Sequence, residues 1–128
     1  MTGLAALEAH DLSGARLVRV RGEVDLSNIR DVMEGIRAAV THEATLVVLD
    51  LSGTTYLDST GIAMVFRLAE RLGHRRQELR LVVPADAPIR RALELTRVTT
   101  FLPVHETVTA AVRGTDAGPE EESVSDGA

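Results

Sequence analysis

Two hydrophobic periods alternate along this chain, and the points where one gives way to the other mark out its elements. Leu4 to His10 is a weak strand, closed by a turn at Asp11-Leu12-Ser13-Gly14. Arg16 to Arg21 alternates, with Val18 and Val20 opposite Arg19 and Arg21, which predicts a half-exposed strand hairpinned to the first. Ser27 is a good N-cap type, and Ile29, Val32, Met33, Ile36, Ala39 and Val40 follow at the spacing of one helical face. Thr45 to Leu49 is a continuous apolar, β-branched run, the pattern of a strand buried on both sides. A loop from Ser52 to Leu57 leads into a second helix, Ser59 to Leu72. Ile62, Val65, Phe66, Ala69 and Leu72 form its inner face, and Gly73 ends it. Leu79 to Val83 reads as another buried strand, stopped by Pro84. Asp86 and Pro88 then open a third helix, Ala87 to about Leu95. A short strand near Phe101 to Val104 and a last helix, Glu106 to Arg113, complete the pattern. Strands alternating with helices imply parallel crossovers. The expected fold is α/β, one domain with a mixed sheet of four to five strands and about four helices.

The periodicity stops at Arg113. Residues 114–128 are Gly, Pro, Ser and acids around a lone Val124, a composition that cannot bury enough apolar surface to offset its ordering entropy. The expected organisation is therefore a domain over residues 1–113 and a disordered acidic tail over 114–128. All 14 basic residues are Arg, and five of the 19 acids lie beyond Arg113, so the body is neutral and the net −5 belongs to the tail. A neutral body with only Tyr56, Phe66 and Phe101 as aromatics offers neither the electrostatic footprint nor the stacking platform of a nucleic-acid binder.

Other chemistry is limited too. There is no Cys for a disulfide or thiolate site, and His10, His42, His74 and His105 are spread along the chain as surface histidines, with no metal-ligand pattern. No apolar run approaches the roughly 20 residues of a membrane span, and Met1 to Glu8 lacks the build of a signal peptide, so no membrane association and a cytoplasmic location are expected. The chain has no Gly-x-Ser-x-Gly elbow, so no catalytic residue and no cofactor are assigned.

The most informative stretch is Val48 to Ile62, a strand-to-helix junction of the kind where α/β sites collect. It ends on Asp58-Ser59-Thr60-Gly61 where the second helix begins. Asp58 is an N-cap type, and Ser59 follows in the first turn, where unsatisfied N–H groups and the helix dipole favour an added anion. Simple capping accounts for the same residues. Gly61 costs about 1 kcal/mol relative to Ala inside a helix, which implies close approach either by a partner or by the fold itself. Glu23 and Asp25 are loop acids or contact residues. Arg67, Arg71, Arg75 and Arg76 are a solvated face or a partner patch.

Asp50-Leu51-Ser52-Gly53 with Leu57-Asp58-Ser59-Thr60-Gly61-Ile62, and Gly22-Glu23-Val24-Asp25 before the first helix, together resemble the signature of STAS domains, in particular bacterial anti-sigma factor antagonists. The resemblance runs from about Leu4 to Val112, although Ala63-Met64 depart from the Gly-hydrophobic pair that often follows the motif. It implies a partner-switching cycle in transcription regulation and stress response. The unphosphorylated antagonist binds an anti-sigma factor that is also a serine kinase and so releases the sigma factor. The kinase phosphorylates Ser59, the complex dissociates, and a serine phosphatase resets the switch. Glu23, Asp25, Asp58, Thr60 and Gly61 are then the partner-binding residues. An alternative within the same resemblance is a STAS subunit bracing the ATPase of a lipid-transport ABC complex.

Overall fold

The computed structural model describes residues 5–114, so the tail expected over 114–128 lies, apart from Gly114, outside the described residues. A hairpin opens the fold: β1 (Ala5–Leu12) and β2 (Ala15–Val24) pair antiparallel around Ser13-Gly14. Then follow α1 (Ile29–Ala39), β3 (Leu46–Asp50), β4 (Thr54–Leu57), α2 (Ser59–His74), β5 (Glu78–Val82), α3 (Arg90–Leu95), α4 (Val98–Phe101), β6 (Val104–His105) and α5 (Val108–Arg113). The sheet runs β1-β2-β3-β5-β6, parallel throughout except for the hairpin.

The α/β class with a mixed sheet is as expected, with one strand and one helix more. The added strand, β4, falls where the sequence pattern predicts a loop, because it is four residues of mixed polarity, TTYL. It continues along the flank of β2 that β3 occupies first. Residues Ala15–Arg19 of β2 pair with β3, and Gly22–Val24 pair with β4. Within the β4 pairing the register shifts between Gly22 and Glu23, and Gly22 takes φ +96° and donates to the Gly53 carbonyl at 3.0 Å. A glycine is needed for that conformation. The added helix, α4, follows a turn at Arg97 that no Gly or Pro announces.

Alternation along the strands builds two cores. Val18, Val20, Val47, Leu49, Leu79 and Leu81 face α1, α2 and α3, where they meet Val32, Ile36, Val65, Leu68 and Leu93. Leu17, Val48 and Val82 face the other way, against Ala111 of α5. Val47, Val48 and Leu49 are all buried, as the continuous run of β3 predicted. The part of the second face beyond α5 carries charge, with Glu8 accepting from His10 and Arg21, and Arg19 donating to Asp50.

Several boundaries move for local reasons. Asn28, not Ser27, precedes α1, because the Ser27 N–H and hydroxyl are both spent on the Asp25 carboxylate. Gly73 lies within the last turn of α2, and Arg76 takes the left-handed conformation, φ 60°, that closes it. Consecutive turns, Ala87 N–H to Pro84 O and Arg90 N–H to Ala87 O, hold residues 84–89, so α3 starts at Arg90 and not at Ala87. Thr107 caps α5 through the Ala110 N–H, which delays that helix to Val108.

Candidate functional site

The carboxyl ends of β2 and β4 lie side by side, with Glu23 opposite Tyr56 and Val24 opposite Leu57. The two loops leaving them, Asp25–Asn28 into α1 and Asp58 into α2, form one surface. Asp58 holds them together. Its Oδ1 accepts from the N–H groups of Thr60 at 3.0 Å and Gly61 at 3.1 Å, and from the Thr60 hydroxyl. Its Oδ2 accepts from the Leu26 N–H at 3.1 Å, 32 residues away in sequence. Burial raises the Asp58 pKa, but the donors together, led by the Thr60 hydroxyl and the Gly61 N–H, hold it below the ordinary 3.8. At neutral pH this is a fixed negative charge.

Ser59 is the first residue of α2 and is exposed. One expectation changes here. The N–H groups of Thr60 and Gly61 are already bound to Asp58, so a phosphate on Ser59 would not find the first turn free. It would compete with Asp58 for those donors, or sit beside the carboxylate with the helix dipole as its main support.

The remaining predicted residues divide. Glu23 is exposed, and its carbonyl accepts from the Asn28 side chain at 2.8 Å. Asp25 is half-buried and shapes the loop, its carboxylate taking both the N–H and the hydroxyl of Ser27. Thr60 is half-buried, its hydroxyl turned to Asp58. Gly61 is buried, and the close approach it permits is internal: a Cβ there would lie 2.4 Å from Leu57 Cδ1 and 3.3 Å from Val24 Cγ1. Asp50 is also structural. It is 3% exposed, accepts from Arg19 Nε and the Ser52 N–H, both at 2.9 Å, and holds open the break between β3 and β4.

Asn28 and Leu26 escaped sequence reasoning. Asn28 is 3% exposed and knits the β2–α1 loop from inside, accepting from the Asp25 N–H and donating to Glu23 O. Its position next to Ser27, an equally good cap type, concealed it. Leu26 is 73% exposed although its backbone is pinned, an apolar side chain presented beside the start of α2. Beginning at Thr60, a groove of about 320 Å³ runs between α1 and α2, walled by Ile29, Met33, Ala63 and Met64 with Arg30 and Arg67 at its rim. Arg67, Arg71, Arg75 and Arg76 are all exposed. His10, His42 and His74 are on the surface as expected. His105 is not: pairing of β6 with β5 buries it to 5%. No group of three or more metal-binding side chains occurs among the described residues, and no helix there is long and apolar enough to cross a membrane.

The family model for the STAS domain matches residues 6–111, spanning both loops of this surface and every element from β1 to α5. The chain belongs to the STAS domain family. Within it, the chain is 31% identical over 114 residues to the anti-sigma-F factor antagonist RsfA of Mycobacterium tuberculosis, covering 87% of this chain and 86% of that protein. An anti-sigma factor antagonist from Mycobacterium paratuberculosis superimposes with a TM-score of 0.78 at 26% identity, covering 87% of this chain and 93% of that one. The phosphorylated form of the Bacillus cell fate determinant SpoIIAA shares the fold, with a TM-score of 0.61 at 17% identity over 84% of this chain and 97% of that one. In this STAS domain Asp58, within Leu57–Ile62, holds the Leu26 N–H in the loop that follows Gly22–Asp25.

Proposed function

We propose that this protein is a non-enzymatic anti-sigma factor antagonist, switched by phosphorylation of Ser59. Its unphosphorylated form binds an anti-sigma factor that has serine kinase activity and so releases a sigma factor. Phosphorylation at Ser59 ends the binding, and a serine phosphatase restores it. The observation that carries this reading is the exposed Ser59 hydroxyl at the start of α2, beside the charged Asp58 cap and the exposed Leu26. The likeness to RsfA supports the partner class.

Within this reading the partner covers Ser59, Glu23 and Leu26. Asp25, Asp58 and Thr60 hold the two loops in place, and Gly61 lets α2 sit close enough to β4 for both to be contacted together. A phosphate adds about −1.5 to −2 charge next to a carboxylate that stays ionised. A docked partner would have to desolvate both, and an unpaired buried charge costs several kcal/mol. The domain itself pays no such penalty while the site faces water.

The test uses the anti-sigma factor that co-purifies with the full chain. With ATP it should add one phosphate to the wild type and none to Ser59→Ala. Ser59→Asp should keep the wild-type circular dichroism and melting behaviour but bind at least tenfold more weakly by calorimetry. Phosphate found on Thr60 or Thr55, or undiminished binding by the phosphorylated protein, would overturn the reading.

A further inference from the structure

The chain has three aromatic residues: Tyr56 and Phe101 are exposed, and Phe66 packs half-buried against the core. That is an unusual use of the side chains with the largest apolar payload. Phe101, in α4, is 68% exposed, touching Phe66 of α2 edge to face with the ring centroids 5.9 Å apart. Leu95, at the end of α3, is 69% exposed. Between them the chain turns through Arg97, a non-glycine residue at φ 65°.

This corner is rigidly built. Thr96 N–H bonds to Ala92 O, Arg97 N–H to Glu94 O, Thr100 N–H to Arg97 O and Leu102 N–H to Val98 O, all at 3.0–3.2 Å. Val98 plugs the corner and is fully buried. The two large side chains are therefore held in water by a fixed backbone. Such preorganised apolar groups lose little entropy when they are covered.

The patch connects with the start of α2. Ser59, Ile62 and Phe66 stand at i, i+3 and i+7 on one side of that helix. Seven residues at 1.5 Å each put Phe66 about 10 Å along the helix from Ser59, inside the footprint of an ordinary interface of roughly 800 Å² per partner. Ile62 and Phe66 are half-buried and packed against the core, and Phe66 carries the contact from this side of α2 to Phe101.

We propose that Phe101 and Leu95 form a second anchor for the same anti-sigma partner that covers Ser59, taking an apolar side chain or helix edge of that protein. This rests on the reading of Ser59 as the docking site. It divides the interface into a polar end, which phosphorylation disables, and an apolar end, which supplies affinity and which phosphate does not touch. Aromatic side chains are the usual carriers of interface energy, and Phe101 is the most exposed of the three here.

The test compares three full-length variants, Phe101→Ser, Leu95→Ser and Ser59→Asp, against the co-purified anti-sigma factor by calorimetry, with sedimentation of each protein alone. Phe101→Ser and Leu95→Ser should each weaken binding at least tenfold with melting temperatures within a few degrees of wild type. Should Phe101→Ser disturb the fold through Phe66, Leu95→Ser carries the test. If Ser59→Asp weakens binding and neither apolar variant does, the second anchor is wrong and the Ser59 reading stands. If all three bind like wild type, the partner docks elsewhere and both fail. If the wild type self-associates, and Phe101→Ser abolishes this with unchanged partner affinity, the patch belongs to a second copy of the chain and the proposal is overturned.

Discussion

Replacing Gly61 with Ala sets two effects of known size against each other. Helix propensity favours Ala by about 1 kcal/mol at an interior position, and by less in the first turn, where Gly61 is the third residue of α2. Against this stands the space. The new methyl would meet Leu57 Cδ1 at 2.4 Å and Leu57 Cγ at 3.0 Å, where carbon atoms rest at about 3.5–4.0 Å. Leu57 must give way by roughly 1 Å, yet it is itself buried, and Val24 closes the other side at 3.3 Å. Overpacking of this kind costs about 1–3 kcal/mol, so Gly61→Ala should destabilise by about 1 kcal/mol net, near 4 °C in melting temperature. Urea unfolding at pH 7 reads this directly, as a lower midpoint at constant slope. A double-mutant cycle identifies the cause. Leu57→Ala alone should cost about 2–5 kcal/mol, but with the clash gone Gly61→Ala in that background should be neutral or stabilising. A Gly61→Ala variant as stable as wild type would refute the reasoning. So would an equal loss with and without Leu57, because the strain would then lie elsewhere than in this contact.

Other outcomes follow from the same geometry. Asp58→Ala should lower stability at pH 7 by about 1 kcal/mol, the usual worth of a cap. Because the folded carboxyl titrates below 3.8, the charge-dependent share of this stability is present above that pH and is lost as pH falls through the folded value, so the gap between wild type and variant should narrow in melts taken at pH values falling below 3.8. Asp50→Ala takes the acceptor from the Ser52 N–H and frees Arg19, and urea unfolding should show a loss of about 1–3 kcal/mol, the range for hydrogen bonds to a charged group. Deleting residues 115–128, which hold the excess negative charge, should leave the melting temperature within a few degrees, and a larger drop would mean that the segment packs on the body.

How far the sequence could be read depended on whether a residue's partner was local. β3 was legible because Val47, Val48 and Leu49 declare burial by themselves, and α2 because its cap, Asp58, is a short-range signal, although its buried stripe is Gly61, Met64, Val65, Leu68 and Leu72, which shares only Val65 and Leu72 with the face its apolar spacing predicts. The partner of Asp50 is Arg19, on another strand, and nothing in Asp-Leu-Ser-Gly points to it. β4 is a strand only because β2 runs past β3 and needs a second neighbour, a requirement of pairing and not of the residues Thr54 to Leu57. At the site, Ser59 and Asp58 could be found from spacing and resemblance. The joining of Asp58 to Leu26 is a contact across 32 residues, and the burial that gives Gly61 its meaning comes from Leu57 and Val24 together.

The bond from the Leu26 amide to Asp58 also gives the site a built-in clock. An exposed loop amide exchanges its hydrogen with water rapidly unless something holds it, and its protection measures how seldom the local structure opens. Leu26 lies in such a loop, and its N–H is held by a carboxylate next to Ser59. Its exchange rate therefore counts the moments when the two loops part, without any partner being present. An added charge on Ser59 that drew the Thr60 and Gly61 amides away from Asp58 would alter that rate at a residue 33 positions away in sequence. A single resolved amide signal is enough to follow it.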